Sequence, residues 1–437
     1  MHWSWGVLWL AVLHVATSKD YASDVTVELF QRYIRINTTS NNDLSEAVEF
    51  WNAQAKREGV EMTVLNFTEG YPVIVLKWPG TNSSLSSIML NSHMDVVSAD
   101  EADGWTYPPF SAHLDKDGII WGRGTQDTKS ISIQYFEALK RLKAKKVSLL
   151  RDVYMTLMPD EEIGGNYGMK SLLLSKEFTQ MNVGFELDEG SAINMSVIPI
   201  FYQDKVPWQI RVDCYATPVH GSMFPPFNVT APGICHNVVN RLLEFRESQD
   251  RIYKKVGLMH AGKYTSVNLS ILKSGSIINI IPGHVSVSFD IRLNTRIKEN
   301  HFETQLNEWI KEAAAGGNFT LFFIQKDKQS PATNMTKSNP YWNTIVRVAK
   351  KLKLRLMPLV SPGSTDARFV RRAGYPAFGF SPMPKTETLV HSVNERLSAA
   401  TFLKGIDIYE ELIQRLANIP GHKTSADPSV YVYKTNK

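Results

Sequence analysis

Only two cysteines, Cys214 and Cys235, occur in 437 residues. That excludes a disulfide scaffold, so stability must come from an ordinary core, with or without a bound metal. One bridge between the two thiols and two free buried thiols are both compatible with the sequence. After the first residues, no apolar run approaches the ~20 residues that a membrane span requires. Internal repeats and low-complexity blocks are also missing. Charge of one sign is scarce, with a formal net charge of +5. The densest basic stretches, Lys140–Lys146 and Lys350–Lys353, have the spacing of solvated helix faces and little aromatic interleaving, which argues against nucleic acid as a partner.

The composition that is present, 43% hydrophobic and 21% charged, is that of a globular protein long enough for two or more domains. Met1–Ser18 contains an apolar run from Val7 to Ala16, broken only by His14, and ends in small residues. It reads as a signal peptide, too short to span a membrane, although no Lys or Arg precedes the run. Asn-x-Ser/Thr acceptors at Asn37, Asn66, Asn82, Asn194, Asn228, Asn268, Asn318 and Asn334 agree with a secreted or lumenal glycoprotein.

Hydrophobic periodicity predicts two α/β segments flanking a unit of different character. Helices are expected at Val25–Ile34, Leu44–Gly59 and Asp127–Lys146, with short strands at Val73–Leu76, Ile88–Leu90, Ile119–Trp121, Val153–Leu157 and Val183–Leu187. Such alternation implies a mainly parallel sheet. From Asp204 the order becomes β-α-β-β-α-β, a ferredoxin-like insertion with pairing edges. The expected division is therefore 1–18 signal peptide, 19–203 and 328–437 as two parts of one α/β domain with a loose tail, and 204–327 as an inserted lid and dimerisation domain.

Four short motifs carry chemistry: His93-Met94-Asp95, Gly124-Thr125-Gln126-Asp127, Pro159-Asp160-Glu161-Glu162 and Leu187-Asp188-Glu189-Gly190. His93, Glu162 and Glu189 each follow a core strand within a few residues. In an open α/β sheet, the carboxyl ends of strands line one crevice. Several carboxylates aimed into one crevice repel each other unless positive charge compensates them, and these stretches supply no neighbouring Lys or Arg. A divalent metal answers that problem, and His with carboxylate ligands suits zinc. Asp127, after the Gly122-Arg123-Gly124 turn, is the candidate bridge between two ions. Asp95 can accept the second imidazole N–H of His93 and fix its tautomer. Of Glu161 and Glu162, one is expected to bind metal and the other to move a proton. The residues alone do not say which.

The stretches His93–Val97, Gly122–Lys129, Pro159–Gly165, Leu187–Gly190, Thr365–Met383 and Val390–Leu397 resemble the M20 family of co-catalytic zinc peptidases and deacylases, and the likeness runs from about Asp24 to Pro420. The resemblance implies two zinc ions per subunit. His93 and Glu189 would bind one, Glu162 and His391 the other, with Asp127 bridging, Glu161 as general base and Asp95 orienting His93. It further implies that His220 of a partner subunit stabilises the oxyanion, and that Asn279 and Arg292 bind the substrate's carbonyl region and carboxylate. Arg368 is a second candidate for the carboxylate. Met94, Ser98 and the segment Trp105–Phe110 depart from the family pattern without removing a ligand. The implied activity is hydrolysis of N-acyl-L-amino acids by a homodimer. A dipeptidase, a long-chain N-acyl amino-acid hydrolase and a non-catalytic secreted binding protein are the alternatives.

Overall fold

The computed structural model describes residues 20–421. The expected signal peptide, 1–18, and the tail beyond residue 421 lie outside the described residues. Asp24 caps the first helix, Val25–Arg35, by accepting the Thr26 and Val27 N–H groups at 2.9 and 3.3 Å. Gly59, in the left-handed region at φ 59°, ends the second helix, Ser45–Glu58.

The larger sheet has eight strands in the order Glu61–Leu65, Val73–Trp78, Val153–Met158, Ser87–His93, Val183–Asp188, Ala377–Phe380, Ile198–Asp204 and Leu356–Ser361. It is mixed rather than mainly parallel. Val153–Met158, Ser87–His93, Val183–Asp188 and Ala377–Phe380 form a parallel block. Ile198–Asp204 pairs antiparallel with Ala377–Phe380 and parallel with Leu356–Ser361, and the first two strands join antiparallel. Three strands of this sheet, Glu61–Leu65, Ile198–Asp204 and Leu356–Ser361, went unread in the sequence. Two of them, Ile198–Asp204 and Leu356–Ser361, contain Pro199 and Pro358, which disguise a strand and are tolerated only toward a sheet edge.

The parallel block positions the site. Three consecutive strands of the block, Val153–Met158, Ser87–His93 and Val183–Asp188, are buried throughout. They are neighbours running in the same direction, so their carboxyl ends open side by side.

A second sheet holds four antiparallel strands in the order Ser266–Ser274, His284–Leu293, Val206–Tyr215 and Asn318–Lys326. Helices Ala231–Val256 and Glu299–Ala314 cover one face, burying Trp208, Ile210, Val238, Phe289, Phe302 and Leu306 in a core separate from that of the larger sheet. Cys214 and Cys235 are joined in a disulfide between the central strand and the first of these helices. Among the described residues, no helix is long and apolar enough to cross a membrane.

Candidate metal centre

His93 ends its strand, Glu189 follows directly on Asp188, and Glu161 and Glu162 occupy a 3-10 turn just beyond Met158. Asp127 precedes the helix Lys129–Ala144, at a cis peptide bond with Thr128. His391 lies on an irregular loop in the left-handed region, at φ 60°. The two carboxylate oxygens of Asp127 face different histidines. His93 Nε2 stands 3.0 Å from Asp127 Oδ1 and 3.4 Å from Glu189 Oε1. His391 Nε2 stands 3.2 Å from Asp127 Oδ2 and 2.9 Å from Glu162 Oε2. The donor atoms of His93, Asp127 and Glu162 lie within 4.8 Å of one another, as do those of His93, Glu161 and Glu189.

The electrostatics show what such a cluster needs. Burial and the charge of Asp127 push the Glu162 carboxyl up to about 7. Burial, then the charge of Glu189, raises Glu161 well above the ordinary range, and burial raises Glu189 as well. Burial alone would lower His93, but Glu189 and hydrogen bonds to Asp127 and Asp95 outweigh it and hold the imidazolium far above its usual pKa. Hydrogen bonds to Asp127 and Glu162 push His391 up to about 11. The acids can ionise together only with positive charge between them, which protons on the histidines provide here and divalent cations would provide in their place. Two imidazole nitrogens, two terminal carboxylates and one carboxylate presenting an oxygen to each side fit a pair of such ions.

The residues that brace this centre differ in part from expectation. His93 Nδ1 donates chiefly to the backbone carbonyl of Asp95, at 2.7 Å, whereas the Asp95 carboxylate is 3.5 Å away. That carboxylate instead accepts the Glu161 and Glu162 N–H groups at 3.1 and 3.2 Å and the Ser40 hydroxyl at 2.8 Å. Asp95 therefore fixes the histidine with its main chain and the acidic turn with its side chain. Glu395 was not singled out in the sequence, although it lies within the last resembling stretch. It is wholly buried, and accepts from Arg123 Nη1 at 2.8 Å and from the N–H groups of Gly124, Gln126 and Asp127 at 3.1, 2.7 and 3.2 Å. It folds the loop that delivers Asp127. Glu395→Ala is expected to weaken divalent-metal binding roughly 10- to 100-fold, read by competition with a chelating dye; unchanged affinity would remove Glu395 from this role.

A cavity of about 530 Å³ opens over the cluster. The larger sheet's side contributes an apolar wall of Ile193, Pro199, Phe201, Leu359 and Val390, and the four-stranded sheet contributes Gln209, Asn268, Asp290, Arg292 and Gln325. Arg292 makes a two-pronged pair with Asp290 at 2.7 and 2.9 Å and donates to Ser364 Oγ at 3.1 Å. Arg368 also lines the cavity, but its donors are engaged by Asp327 Oδ2, the Thr365 carbonyl and the Gly164 carbonyl at 2.8, 2.7 and 2.8 Å. It braces the wall and offers no free fork to a carboxylate. His220 and Asn279 do not line this cavity. They sit together at the far end of the four-stranded unit, where Val219–His220 pairs with Ile280–Ile281 and His220 Nδ1 lies 2.8 Å from Ser222 Oγ. Exposed apolar groups, among them Met223, Phe224, Phe227 and Ile278, surround them. Seven of the glycan acceptors are exposed and Asn334 is half-buried. Asn268 differs from the others in bordering the cavity and accepting from Arg246 Nε at 3.3 Å.

Residues 89–415 match the family model described as peptidase family M20/M25/M40. Aminoacylase-1 of Homo sapiens is 42% identical over 396 residues, covering 90% of this chain and 96% of the relative. Aminoacylase-1 of Dictyostelium discoideum is 34% identical over 407 residues, covering 90% and 98%. In fold, the chain is similar to an M20 family metallo-carboxypeptidase from Sulfolobus solfataricus, with a TM-score of 0.73 at 17% identity, covering 91% of this chain and 100% of the other. The match takes in all the candidate metal ligands, and the chain belongs to peptidase family M20/M25/M40.

Proposed function

We propose that this protein hydrolyses N-acyl-L-amino acids to a carboxylate and a free L-amino acid, with two zinc ions per subunit. The observation that carries this reading is the split of Asp127 between two donor groups, with Glu161 beside them at the mouth of a half-apolar cavity. The likeness to aminoacylase-1 over nine-tenths of the chain directs that chemistry to N-acyl amino acids. His93 and Glu189 would hold one ion, Glu162 and His391 the other, and Asp127 would bridge them. When bound, such ions make a water molecule acidic enough to lose its proton near neutral pH and polarise an amide carbonyl.

The chain's residues do the rest. Glu161 accepts the water's proton, the carbon–oxygen bond forms, and Glu161 returns the proton to the nitrogen as the carbon–nitrogen bond breaks. Arg292 faces the substrate carboxylate across the cavity, its charge already partly balanced by Asp290. His220 and Asn279 would serve the oxyanion and carbonyl region from a second subunit, because within one chain they stand apart from the cavity. The apolar surface around them supports a homodimer, with unit 204–327 as both lid and interface. The N-terminal apolar run, the exposed glycan acceptors and the disulfide support a secretory-pathway location; N-terminal sequencing of the mature protein and its shift on deglycosylation would decide that.

The direct test compares turnover of N-acetyl-L-methionine, a dipeptide and an N-oleoyl amino acid by the zinc-loaded protein. N-acetyl-L-methionine is expected to have the highest kcat/KM. A preference for the dipeptide would make this a peptidase, and a preference for the oleoyl substrate a long-chain hydrolase.

A further inference from the structure

The short helix Ala367–Arg372 stands where the chain leaves the larger sheet and where it returns. The outgoing crossing is Asp204-Lys205, between strands Ile198–Asp204 and Val206–Tyr215. The return is Asp327-Lys328, directly after Asn318–Lys326. The two run side by side: the Asp327 N–H donates to the Pro207 carbonyl at 3.2 Å, and the Asp327 carbonyl accepts from Trp208 Nε1 at 2.9 Å. Arginines of the helix hold both crossings. Arg371 Nη1 donates to Asp204 Oδ2 at 2.6 Å, Arg372 Nη1 to the Lys328 carbonyl at 3.2 Å, and Arg368 Nε to Asp327 Oδ2 at 2.8 Å. Among these three, Arg368 also reaches the catalytic turn. Its Nη2 donates to the Gly164 carbonyl at 2.8 Å, and its Nη1 stands 3.6 Å from Glu161 Oε1.

We propose that Asp327 is a positioning residue for Glu161, acting through Arg368. A guanidinium is a rigid plane whose donors cannot be aimed independently. With Nε fixed on Asp327, Nη2 on Gly164 and one Nη1 hydrogen on the Thr365 carbonyl at 2.7 Å, the plane supports the Glu161–Gly165 turn and keeps Nη1, whose second hydrogen is free, 3.6 Å from the Glu161 carboxylate. Without the Asp327 anion, the other carboxylate within ion-pair distance of this cation is Glu161. Arg368 would then close onto it in a charge-assisted pair at about 2.7–2.9 Å. Glu161 would be held away from the water and the leaving nitrogen it must reach in turn. Because Asp327 belongs to the return crossing, the same link ties the placement of Glu161 to the seating of the four-stranded unit. The inference rests on the reading of Glu161 as the proton carrier.

The test uses the full-length zinc-loaded protein with Asp327→Asn and Asp327→Glu, assayed on N-acetyl-L-methionine alongside bound zinc and the urea midpoint. Asp327→Asn is expected to lower kcat about tenfold with KM within about twofold of wild type, at unchanged zinc content. Asp327→Glu, which restores the anion, is expected to recover most of the loss. An unchanged kcat in Asp327→Asn would overturn the proposal. So would a loss shared equally by both variants, or one that tracks zinc or the urea midpoint, since each would mark a merely structural residue. A wild-type protein inert toward all three substrate classes would instead bring down the hydrolase reading, and this assignment with it.

Discussion

Replacing Glu161 with glutamine is expected to lower kcat by about 10³-fold or more while leaving bound zinc at the wild-type level. Glutamine matches the size of glutamate but cannot shuttle a proton. The backbone N–H of residue 161 would keep its 3.1 Å hydrogen bond to Asp95 Oδ1, so the turn should hold. Glu162, not Glu161, is the acid that meets His391, at 2.9 Å. Metal should therefore survive Glu161→Gln and fall in Glu162→Gln. The reverse pattern would exchange the two roles. The same variant also tests the dimer. Mixing Glu161→Gln subunits with His220→Ala subunits would unite one intact Glu161 and one intact His220 in each mixed pair. Random exchange should then restore about a quarter of wild-type activity. Continued inactivity of the mixture would place His220 outside the partner's site.

The second large effect concerns the metal itself. Stripping the protein with a chelator is expected to abolish turnover, and zinc to restore it. The stripped protein should also become less stable as pH rises. Glu162 has its carboxyl raised from 4.5 to about 7, first by burial and then by Asp127. The native state thus keeps a proton that the unfolded chain releases earlier, and stability falls as pH climbs through that interval. His391 is raised from 6.5 to about 11 by its hydrogen bonds to Asp127 and Glu162. Its contribution is complete below the unfolded value and is lost as pH rises toward the folded one. Both slopes have the same sign, so the melting temperature of stripped protein should fall relative to that of zinc-loaded protein between about pH 6 and 9, while Lys129 and Lys205, each lowered to about 7 by burial, add an opposite slope to both forms. Zinc-loaded protein should lack this relative fall, because ions replace the protons. A stripped protein that stays active, or whose melting temperature follows the same pH profile as zinc-loaded protein in this range, would refute the charge-balance argument for the site.

That these residues would come together was legible in part because several candidate ligands mark ends of strands. His93 and Glu189 follow runs that are buried throughout, and in a parallel block such ends share one crevice. His391 has no such marker. It sits on a loop without periodicity, and only family resemblance pointed to it. Glu395 was missed for a related reason: its partners at residues 123 to 127 lie some 270 positions away in sequence, and they are mostly backbone amides, which leave no trace in residue identity. Asp95 shows a subtler limit. Its spacing from His93 predicted contact with the imidazole, but did not say that the main chain would make it. The mixed character of the larger sheet was hidden by Pro199 and Pro358, whose strands lie beside the parallel block.

Asp327 and Pro207 bond directly, so the 206–326 segment begins and ends at one place on the surface of the larger sheet. The order of strands in that sheet does not depend on what is strung between those two points. Over evolutionary time, one wall of the cavity can be lengthened, trimmed or recomposed while the five candidate ligands stay where they are. Divergence in what these enzymes accept can then proceed without rebuilding how they react.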